Sequence, residues 1–515
     1  FSFSEFFLKI SIGLLILNWI SEGNFKRKIR LFFSSRSLQI FILIFILYAI
    51  ALLYTNNISI GMHDIKMKSI YLIIPIIIKT SKPIENKHIN TIILFLLISV
   101  FLSSLLSFIN LLRIEYFQMN EFRKTSLFIS HIRFSLMINF AVFSTSYLLL
   151  NNYFKNKYLK IIIIFICSWL IIFLFILKSG TGIVVLFSVS IFTIWLYCKV
   201  IKKVLFRYLL FSIFVLFFLI IPIYIFSIYN ENFNIGEINN YELRKNTSDG
   251  NIYEHNSEFK LIENGNYVWI NVCRKELEEE WNKRSLLSYN GFDYKGQILE
   301  ATLVRYLASK NLSKDRIGMT KLDKKDILNI ENGMANYIFQ KKFSIYPIIY
   351  LNLWELDCYL KGYDYSNFSL LRRLVFFKTS IEVFKKNFLF GVGPGDLKNE
   401  LQVQYNLDNS LLPRSLRQMP HNQFITFITS FGIIGFVIIV ISFISPIIIE
   451  NNWFPFINKI FLFIICLSFI NEDTLESFIG LTFFVFFYTI LILNKSNPNE
   501  ENKKFILVKN KNIPF

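Results

Sequence analysis

The sequence predicts an all-α protein that crosses a membrane many times. Of its 515 residues 54% are hydrophobic, among them 58 Phe and 25 Tyr, which is more than a soluble domain needs to fill its core. The apolar residues are gathered in long runs, and the longest stretch between two runs is 229–423. We therefore predict a helical bundle among membrane lipids, with one large loop outside the bilayer.

The basic residues indicate topology rather than a nucleic-acid partner. The formal net charge is +19, but the cytoplasmic loops of membrane proteins collect Lys and Arg according to the positive-inside rule. We expect no nucleic acid among the partners.

Eleven apolar runs are candidates for membrane spans. A bilayer needs about 20 apolar residues per helix, and shorter runs span it if flanking residues snorkel. The third run contains Pro75, so a re-entrant segment and a tilted, kinked span both fit it, and we favour the span. The runs are 6–20, 38–54, 69–80, 89–109, 128–150, 159–177, 182–198, 206–228, 424–446, 456–470 and 477–493.

Residue 1 is Phe, and no cleavage site precedes the first run, so we expect one missing helix and twelve spans in the intact chain. Basic clusters at 26–36, 155–160 and 199–207 mark the cytoplasmic side, together with the tail 495–515. Counting spans from these anchors places 229–423 and the acidic loop NEDTLES (471–477) outside the cytoplasm.

Composition divides the chain into five parts. Residues 229–368 are polar, with nearly balanced charges and many aromatic side chains, which predicts a small folded α-rich insert rather than a linker. Cys273 and Cys358 lie there and are able to pair outside the cytoplasm, although no spacing requires it. The parts are transmembrane helices 1–228, the insert 229–368, an amphipathic helix with a candidate functional loop 369–423, transmembrane helices 424–494 and a cytoplasmic tail 495–515.

The stretch SLLRRLVFFKTSIEVFKKN (369–387) predicts the amphipathic helix. We expect its apolar stripe to lie against the membrane domain. At 100° per residue Arg373 borders this stripe and Arg372 points to the opposite face. Both arginines are candidates for binding an anionic ligand, and snorkelling to lipid phosphate is the alternative. The stripe comprises Leu370, Leu374, Phe377, Ile381 and Phe384.

The glycine-rich turn FGVGPGDL (390–397) superficially resembles a dinucleotide fingerprint. That motif needs a preceding strand, a following helix and an acidic residue about twenty positions later, and none of these is present. We expect the glycines to allow a sharp turn or a close approach to a ligand.

An H-N pair opens the ninth apolar run. His421 lies at its predicted outer end with Asn422 beside it and Arg414 and Arg417 upstream. A histidine can take a proton near neutral pH, and arginines offer planar forks for phosphate oxygens. A base beside a phosphate clamp suggests a lipid-phosphate substrate, whereas the plainer alternative is an interfacial histidine.

Further charges share the predicted outer side. Arg133 lies at the start of an apolar run, where an arginine is costly unless it faces a cavity or a partner. Lys178 sits at the tip of a helical hairpin, and Glu472, Asp473 and Glu476 lie in NEDTLES. Each alone is more typical of a helix-end anchor, but their common side suggests one outward-facing cavity.

The stretches RLVFFKTSIEVFKKNFLFGVGPGDL (373–397) and MPHNQFITFITSFGIIGF (419–436) together resemble the signature of the O-antigen ligase/polymerase (Wzy-type) family. In that family an arginine precedes a G-V-G turn, and an H-N pair then opens a helix. LNWISEGNFKRKI, HIRFSL, LIENGNYVWINV, KELEEEWNKRS and NEDTLES are similar to its ligase-like branch, so the resemblance covers nearly the whole chain.

The resemblance implies a GT-C-like membrane glycosyltransferase that acts at the periplasmic face of the bacterial inner membrane. Its donor would be a glycan on undecaprenyl pyrophosphate and its acceptor a sugar of lipid A-core. It would need no metal or other cofactor, because the donor is already activated, and no metal-ligand spacing or nucleotide loop is present in the sequence.

Carried onto this sequence, the resemblance implies that His421 is the catalytic base and that Arg373 stabilises the departing pyrophosphate. Many members carry S-R-T-G at the hairpin tip, whereas this chain has Gly180 at the arginine position. Lys178 or Arg133 is expected to replace that contact, although a lysine is a point charge rather than a fork.

Three other activities stay open. A polymerase that joins lipid-linked repeat units and a protein O-oligosaccharyltransferase would use the same chemistry with other acceptors. A polysaccharide transporter is expected to show an internal repeat with broken helices, and the sequence contains no such repeat.

Overall fold

The computed structural model describes residues 4–115, 126–177, 179–198, 204–234, 243–341, 344, 346–362, 369–410, 412–451 and 455–494. The described chain is predominantly helical and contains one two-stranded sheet, in agreement with the predicted all-α class. By its internal contacts the chain divides into two compact units, Phe1–Lys202 with Val375–Phe515, and Lys203–Leu374.

Some predictions fall outside the described residues. These are the basic tail 495–515, the hairpin-tip lysine Lys178, and the anchor residues Lys199, Lys202 and Lys203.

Among the described residues, fourteen helices belong to the first unit, and the first six residues of one of them, α16, lie in the second. They are α1 (Glu5–Ser21), α2 (Phe25–Ser34), α3 (Arg36–Ala51), α4 (Ile58–Lys68), α5 (Ile70–Thr80), α6 (Asn86–Glu115), α7 (His131–Leu150), α8 (Lys157–Ile176), α9 (Gly180–Cys198), α16 (Ser369–Lys386), α17 (Leu397–Leu407), α18 (Gln423–Ile449), α19 (Phe456–Asn471) and α20 (Phe478–Tyr488), which a π-helical turn Thr489–Leu493 follows.

Several of these helices suit a membrane. Among the described residues α6, α7, α8 and α18 are long and apolar enough to cross one, and α1 with α2 forms a fifth candidate although these two meet at 110°. The apolar helices α3, α9, α19 and α20 are shorter. Each predicted run falls mainly in a helix, while the number of eleven spans and their orientation stay predictions.

The third predicted run forms α5, whose 11 residues extend about 16 Å. It packs against α2, α3 and α20, and Pro75 is buried in its middle. Aromatic rings fill the same core, where Phe41 stacks on Tyr488 with ring centroids 4.7 Å apart.

The second unit contains α10 (Val204–Asn232) and a compact insert. The insert comprises β1 (Ile262–Glu263), β2 (Asn266–Tyr267), α11 (Arg274–Asn282), α12 (Leu299–Ser309), α13 (Arg316–Thr320), α14 (Lys324–Glu331) and α15 (Tyr346–Leu360). Its core is built around Trp281, Tyr306 and Tyr350. The buried carboxylate of Glu263 accepts hydrogen bonds from Arg305, Asn336 and Tyr350, so the predicted α-rich insert is folded.

Cys273 and Cys358 are both buried and free, so the disulfide that the sequence allowed is not formed. Burial raises the pKa of the Cys358 thiol to about 12. The thiol therefore stays protonated and unreactive at neutral pH.

The predicted helix at 369–387 is confirmed as α16, but the predicted orientation of its apolar stripe is wrong. Leu374 and Phe377 are 53% and 46% exposed, whereas Thr379 and Ser380 are buried. The buried face of α16 carries Leu371, Phe376 and Val383 together with Thr379 and Ser380. The apolar residues that pack inward are therefore not those of the predicted stripe.

Candidate functional site

His421 ends the loop that leads into α18. Its φ of 51° lies in the left-handed region, where His is enriched among non-glycine residues. Its backbone N–H donates to Oδ2 of Asp473 at 3.0 Å. The backbone at this position is thus held by a side chain from the loop between α19 and α20.

Both ring nitrogens of His421 have polar neighbours. Nδ1 lies 3.3 Å from Oε2 of Glu472, and Nε2 lies 2.8 Å from Oε1 of Gln418. One edge of the ring packs against Phe376 of α16, with ring centroids 5.9 Å apart. The Glu472 side chain is 10% exposed and that of His421 is 26% exposed, so the imidazole is reachable from solvent while its carboxylate partner is shielded.

Asp473 holds two groups at once. Besides the His421 N–H, it accepts a hydrogen bond from the Thr426 hydroxyl at 2.6 Å. Burial raises the pKa of Asp473 to about 6, and Glu476 and Glu472 also raise it, whereas the Thr426 hydrogen bond and His421 lower it. The carboxyl is therefore mostly ionised at pH 7, at an energetic cost to the fold.

The charge of Glu476, the third acid of the loop, is balanced by a buried lysine. Its Oε2 lies 2.9 Å from Nζ of Lys68, a residue with no exposed surface. Its Oε1 accepts from Gln423 at 2.9 Å, and Gln423 in turn accepts from the Leu475 N–H at 2.8 Å. These contacts fix the acidic loop to the first turn of α18.

Arg133 on α7 faces the same acids. Its charge interacts with Glu472 and Asp473. Its Nε is buried and has no hydrogen-bond partner among the described residues. The structure thus brings Arg133 and His421 to the same acids, whereas the outward-facing cavity stays a prediction.

The charges of this cluster do not balance. Lys68 and Arg133 contribute two positive charges, and Glu472, Asp473 and Glu476 contribute three negative charges when all are ionised. The cluster therefore carries one negative charge in excess when all five groups are ionised.

α18 is broken at Gly432, whose φ and ψ of 63° and −171° are not helical. The segment 388–393 fills the break. Val392 and Gly393 donate their N–H groups to the carbonyls of Thr429 and Ser430, at 3.1 and 2.8 Å. The N–H of Ile433 donates to Phe388 O at 2.8 Å.

Only glycine fits where these two backbones meet. A Cβ on Gly432 would lie 2.3 Å from the backbone of Leu389, and a Cβ on Gly391 would lie 2.4 Å from the backbone of Ser430. Both residues have positive φ. Gly391 of FGVGPGDL thus serves close backbone approach, but its partner is α18 and not the ligand that the sequence analysis expected.

Two predicted binding residues are already engaged. Asn422 caps α18 through the Ile425 N–H at 3.1 Å and donates to Ile470 O at 3.0 Å. Arg417 donates to Leu412 O at 2.9 Å and to Asn406 at 2.6 Å. Arg414, in contrast, is exposed. Asn422 and Arg417 therefore shape the loop that carries His421.

Arg372 and Arg373 lie in the first turns of α16, and both are partly buried. Both belong to the second unit, whereas His421 belongs to the first, so the pairing of Arg373 with His421 stays a prediction.

The hairpin tip at Ser179 is tied to α7. Ser179 donates to Oγ of Ser135 at 3.1 Å, and Asn139 donates to Gly182 O at 3.0 Å. A Cβ on Gly182 would collide with Ser135, whereas a Cβ on Gly180 meets nothing within 4 Å. Space is therefore available at position 180 for a side chain.

Residues 328–440 match the family model of O-antigen ligase. This segment is similar to the O-antigen ligase family. It runs from α14 into α18 and includes Arg372, Arg373, Arg414 and His421. No curated protein matches the chain.

Residues outside the matched segment contact His421 or interact with its acid partners. Glu472 and Asp473 come from the loop before α20, and Arg133 comes from α7. The acidic stretch NEDTLES was the signal for the two acids, although the sequence did not assign them to His421. Gln418 carried no signal, because a lone glutamine in a loop predicts no role.

Proposed function

We propose that the protein is a glycosyltransferase of the O-antigen ligase type. It moves a glycan from undecaprenyl pyrophosphate to a sugar of lipid A-core at the periplasmic face of the bacterial inner membrane. The observation that carries the proposal is the contact between His421, within the matched segment, and Glu472. A histidine paired with a shielded carboxylate is suited to accept a proton from a hydroxyl.

In the proposed reaction Nε2 of His421 is the proton acceptor. With Glu472 as acceptor for the Nδ1 hydrogen, the neutral ring carries its lone pair on Nε2. This requires Oε1 of Gln418, which can only accept, to turn away from Nε2. Gln418 lies 2.8 Å from Nε2, about where an acceptor hydroxyl would bind, and its exposed side chain can turn away. The protonated ring that results would form an ion pair with Glu472.

The step is an inverting displacement. The acceptor oxygen loses its proton to Nε2 and forms a bond to the anomeric carbon of the donor glycan. The bond between that carbon and the pyrophosphate oxygen breaks on the opposite side, and the polyprenyl pyrophosphate leaves with the electron pair.

Cations stabilise the departing pyrophosphate in this proposal. Arg373 is the principal one, with Arg372 and the exposed Arg414 as further phosphate ligands, and Lys178 is a candidate second contact. The buried Nε of Arg133 offers another donor. A preorganised donor aimed at developing charge contributes about 3 kcal/mol or more. Arg417 and Asn422 position the loop.

The proposed reaction uses no metal, because the pyrophosphate is already a good leaving group. Purified protein is expected to keep its activity in EDTA. Loss of transfer in EDTA, restored by a divalent cation, would contradict this part of the proposal.

A transporter is the alternative from another class, since broken helices are typical of transporters. In those proteins the freed peptide groups bind the cargo. In α18 the carbonyls of Thr429 and Ser430 and the N–H of Ile433 bond to segment 388–393 instead. This internal pairing favours the transferase.

The test is a deletion strain, with lipopolysaccharide resolved on a gel and the lipid-linked glycan pool measured. A ligase predicts bare core beside accumulated lipid-linked polymer. Core capped with one repeat unit would indicate a polymerase, and unchanged lipopolysaccharide with loss of protein glycans would indicate an oligosaccharyltransferase. Glycan transfer by purified protein in detergent, where no compartment exists, would exclude a transporter.

A further inference from the structure

The helix α2 carries two exposed stripes of different chemistry. Phe25, Ile29 and Phe33 recur every fourth residue and are 46%, 57% and 70% exposed. At 100° per residue Lys26 and Arg30 lie directly beside this apolar stripe, and Arg27 lies beyond them. All three basic side chains are exposed.

Contacts on the remaining side hold α2 in place. Lys28 is 2% exposed, and its Nζ lies 3.1 Å from Oε2 of Glu22 and 4.5 Å from the centre of the Trp19 ring. Gln39 donates to Phe33 O at 3.0 Å, which satisfies a carbonyl at the C-terminal end of the helix. The two exposed stripes therefore belong to a fixed helix.

The bend between α1 and α2 indicates how these stripes are oriented relative to the membrane. α1 is apolar, and α2 leaves it at 110°. If α1 runs along the bilayer normal, α2 lies nearly in the plane of the membrane. A helix in that position places an apolar stripe at the acyl boundary and its basic residues at the headgroups.

The charged residues of α2 are all basic. Its sequence FKRKIRLFFS contains four basic residues and no acid. Glu22 pairs with Lys28 and, at 3.6 Å, with Arg27. No ion pair of Lys26 or Arg30 is present among the described residues. The exposed basic stripe is thus complementary to negatively charged headgroups.

We propose that α2 is a binding site for anionic phospholipids. Phe25, Ile29 and Phe33 contact acyl chains, while Lys26, Arg27 and Arg30 bind headgroup phosphates. With the orientation that the basic loops predict, the site faces the cytoplasmic leaflet. This binding is independent of glycan transfer and does not rest on the proposed function.

The experiment compares the full chain in nanodiscs of phosphatidylcholine alone and of phosphatidylcholine with phosphatidylglycerol. The thermal midpoint of the wild type is expected to rise in the anionic discs. The variant Lys26→Gln/Arg27→Gln/Arg30→Gln should lose at least half of that rise. If this variant does not fold, the single Arg30→Gln change should lose a measurable part of the rise.

A matched control distinguishes lipid binding at α2 from the general attraction of a basic protein to anionic lipids. Lys82→Gln/Lys155→Gln/Lys157→Gln removes three exposed lysines elsewhere and should retain the full rise. An equal rise in the α2 variant would overturn the proposal, as would an equal loss in the control. Stabilisation of the wild type by soluble tripolyphosphate in phosphatidylcholine discs, to the same extent, would show that α2 binds phosphates rather than lipids.

Discussion

Nδ1 of His421 lies 3.3 Å from Oε2 of Glu472, although the two residues are 51 positions apart in the chain. The acid follows α19 and the histidine precedes α18, so the start of one helix is joined to the end of another. In the proposed reaction this pairing leaves Nε2 as the nitrogen that accepts a proton.

Glu472→Gln tests the pairing. The amide keeps a hydrogen-bonding oxygen but loses the charge that stabilises a protonated ring, so we expect kcat for glycan transfer to fall by about 10- to 100-fold with donor affinity unchanged. His421→Ala should abolish transfer. A single-turnover assay separates chemistry from binding, and a drop in donor affinity alone would contradict the assignment.

Asp473→Asn tests whether the ionised, buried carboxyl of Asp473 makes the stability of the fold depend on pH. The pKa of Asp473 is raised from 3.8 to about 6, so between about pH 4 and 6 the folded protein holds a proton that the unfolded chain has lost. The ionised group therefore destabilises the fold above pH 6 and has no such effect below pH 4. We expect Asp473→Asn to gain stability relative to the wild type as the pH rises from 4.5 to 7.5, because the amide avoids the buried charge. At every pH the amide also loses one of the two hydrogen bonds that the carboxylate accepts.

The measurement is the difference in thermal midpoint between Asp473→Asn and the wild type in detergent from pH 7.5 to pH 4.5. This difference should shrink as the pH falls. A constant difference across the range would show that the variant acts through packing rather than through the charge.

Lys68→Met should be strongly destabilising. Removal of the lysine leaves Glu476 as a buried charge without its partner, which typically costs 3–5 kcal/mol. The double variant Lys68→Met/Glu476→Gln removes both charges and should recover part of this loss. If the double variant is less stable than Lys68→Met, the ion pair is not the origin of the effect.

Gly432→Ala should disrupt the broken helix. A Cβ there lies 2.3 Å from the Leu389 backbone, and the positive φ adds about 1 kcal/mol or more. We expect low yield of folded protein or a marked drop in thermal midpoint by size-exclusion chromatography and unfolding assays. Gly180→Ala, with open space around its Cβ, is the control and should behave as the wild type.

Arg417→Gln and Arg414→Gln should differ. Arg417 holds the loop before α18 through Leu412 and Asn406, so its loss should lower the thermal midpoint. Arg414 is exposed, and its loss should leave stability unchanged while it raises KM for a pyrophosphate-linked donor. Equal thermal effects of the two changes would argue against this distinction.

Much of this arrangement was predictable from sequence. Apolar runs predict helices because each peptide group in a bilayer must be paired internally, and an H-N pair before such a run marks its start. The orientation of α16 was not predictable from periodicity, since Leu374 and Phe377 are exposed where a soluble protein would bury them. Periodicity separates two faces of a helix, but only the solvent determines which one turns inward.

The break in α18 also escaped prediction. Gly432 stands in the apolar sequence ITSFGIIGF, and an isolated glycine in such a run is tolerated within a continuous helix. Its role depends on Gly391, which lies far away in the chain. Likewise, no local signal joins His421 to Glu472, because that contact depends on how α18 and α19 pack.

The hydrogen bonds that fill the break at Gly432 also fix the position of His421 along the axis of α18. The short half of α18, from Gln423 to Phe431, cannot slide along its axis without breaking its bonds to Val392 and Gly393. The half beyond Gly432 is bound to the same segment at its start, through Ile433 and Ile434, which donate to Phe388 O and Leu389 O, and it then runs on to Ile449. The height of His421 therefore depends on a contact between two backbones and not on the apolar length of α18.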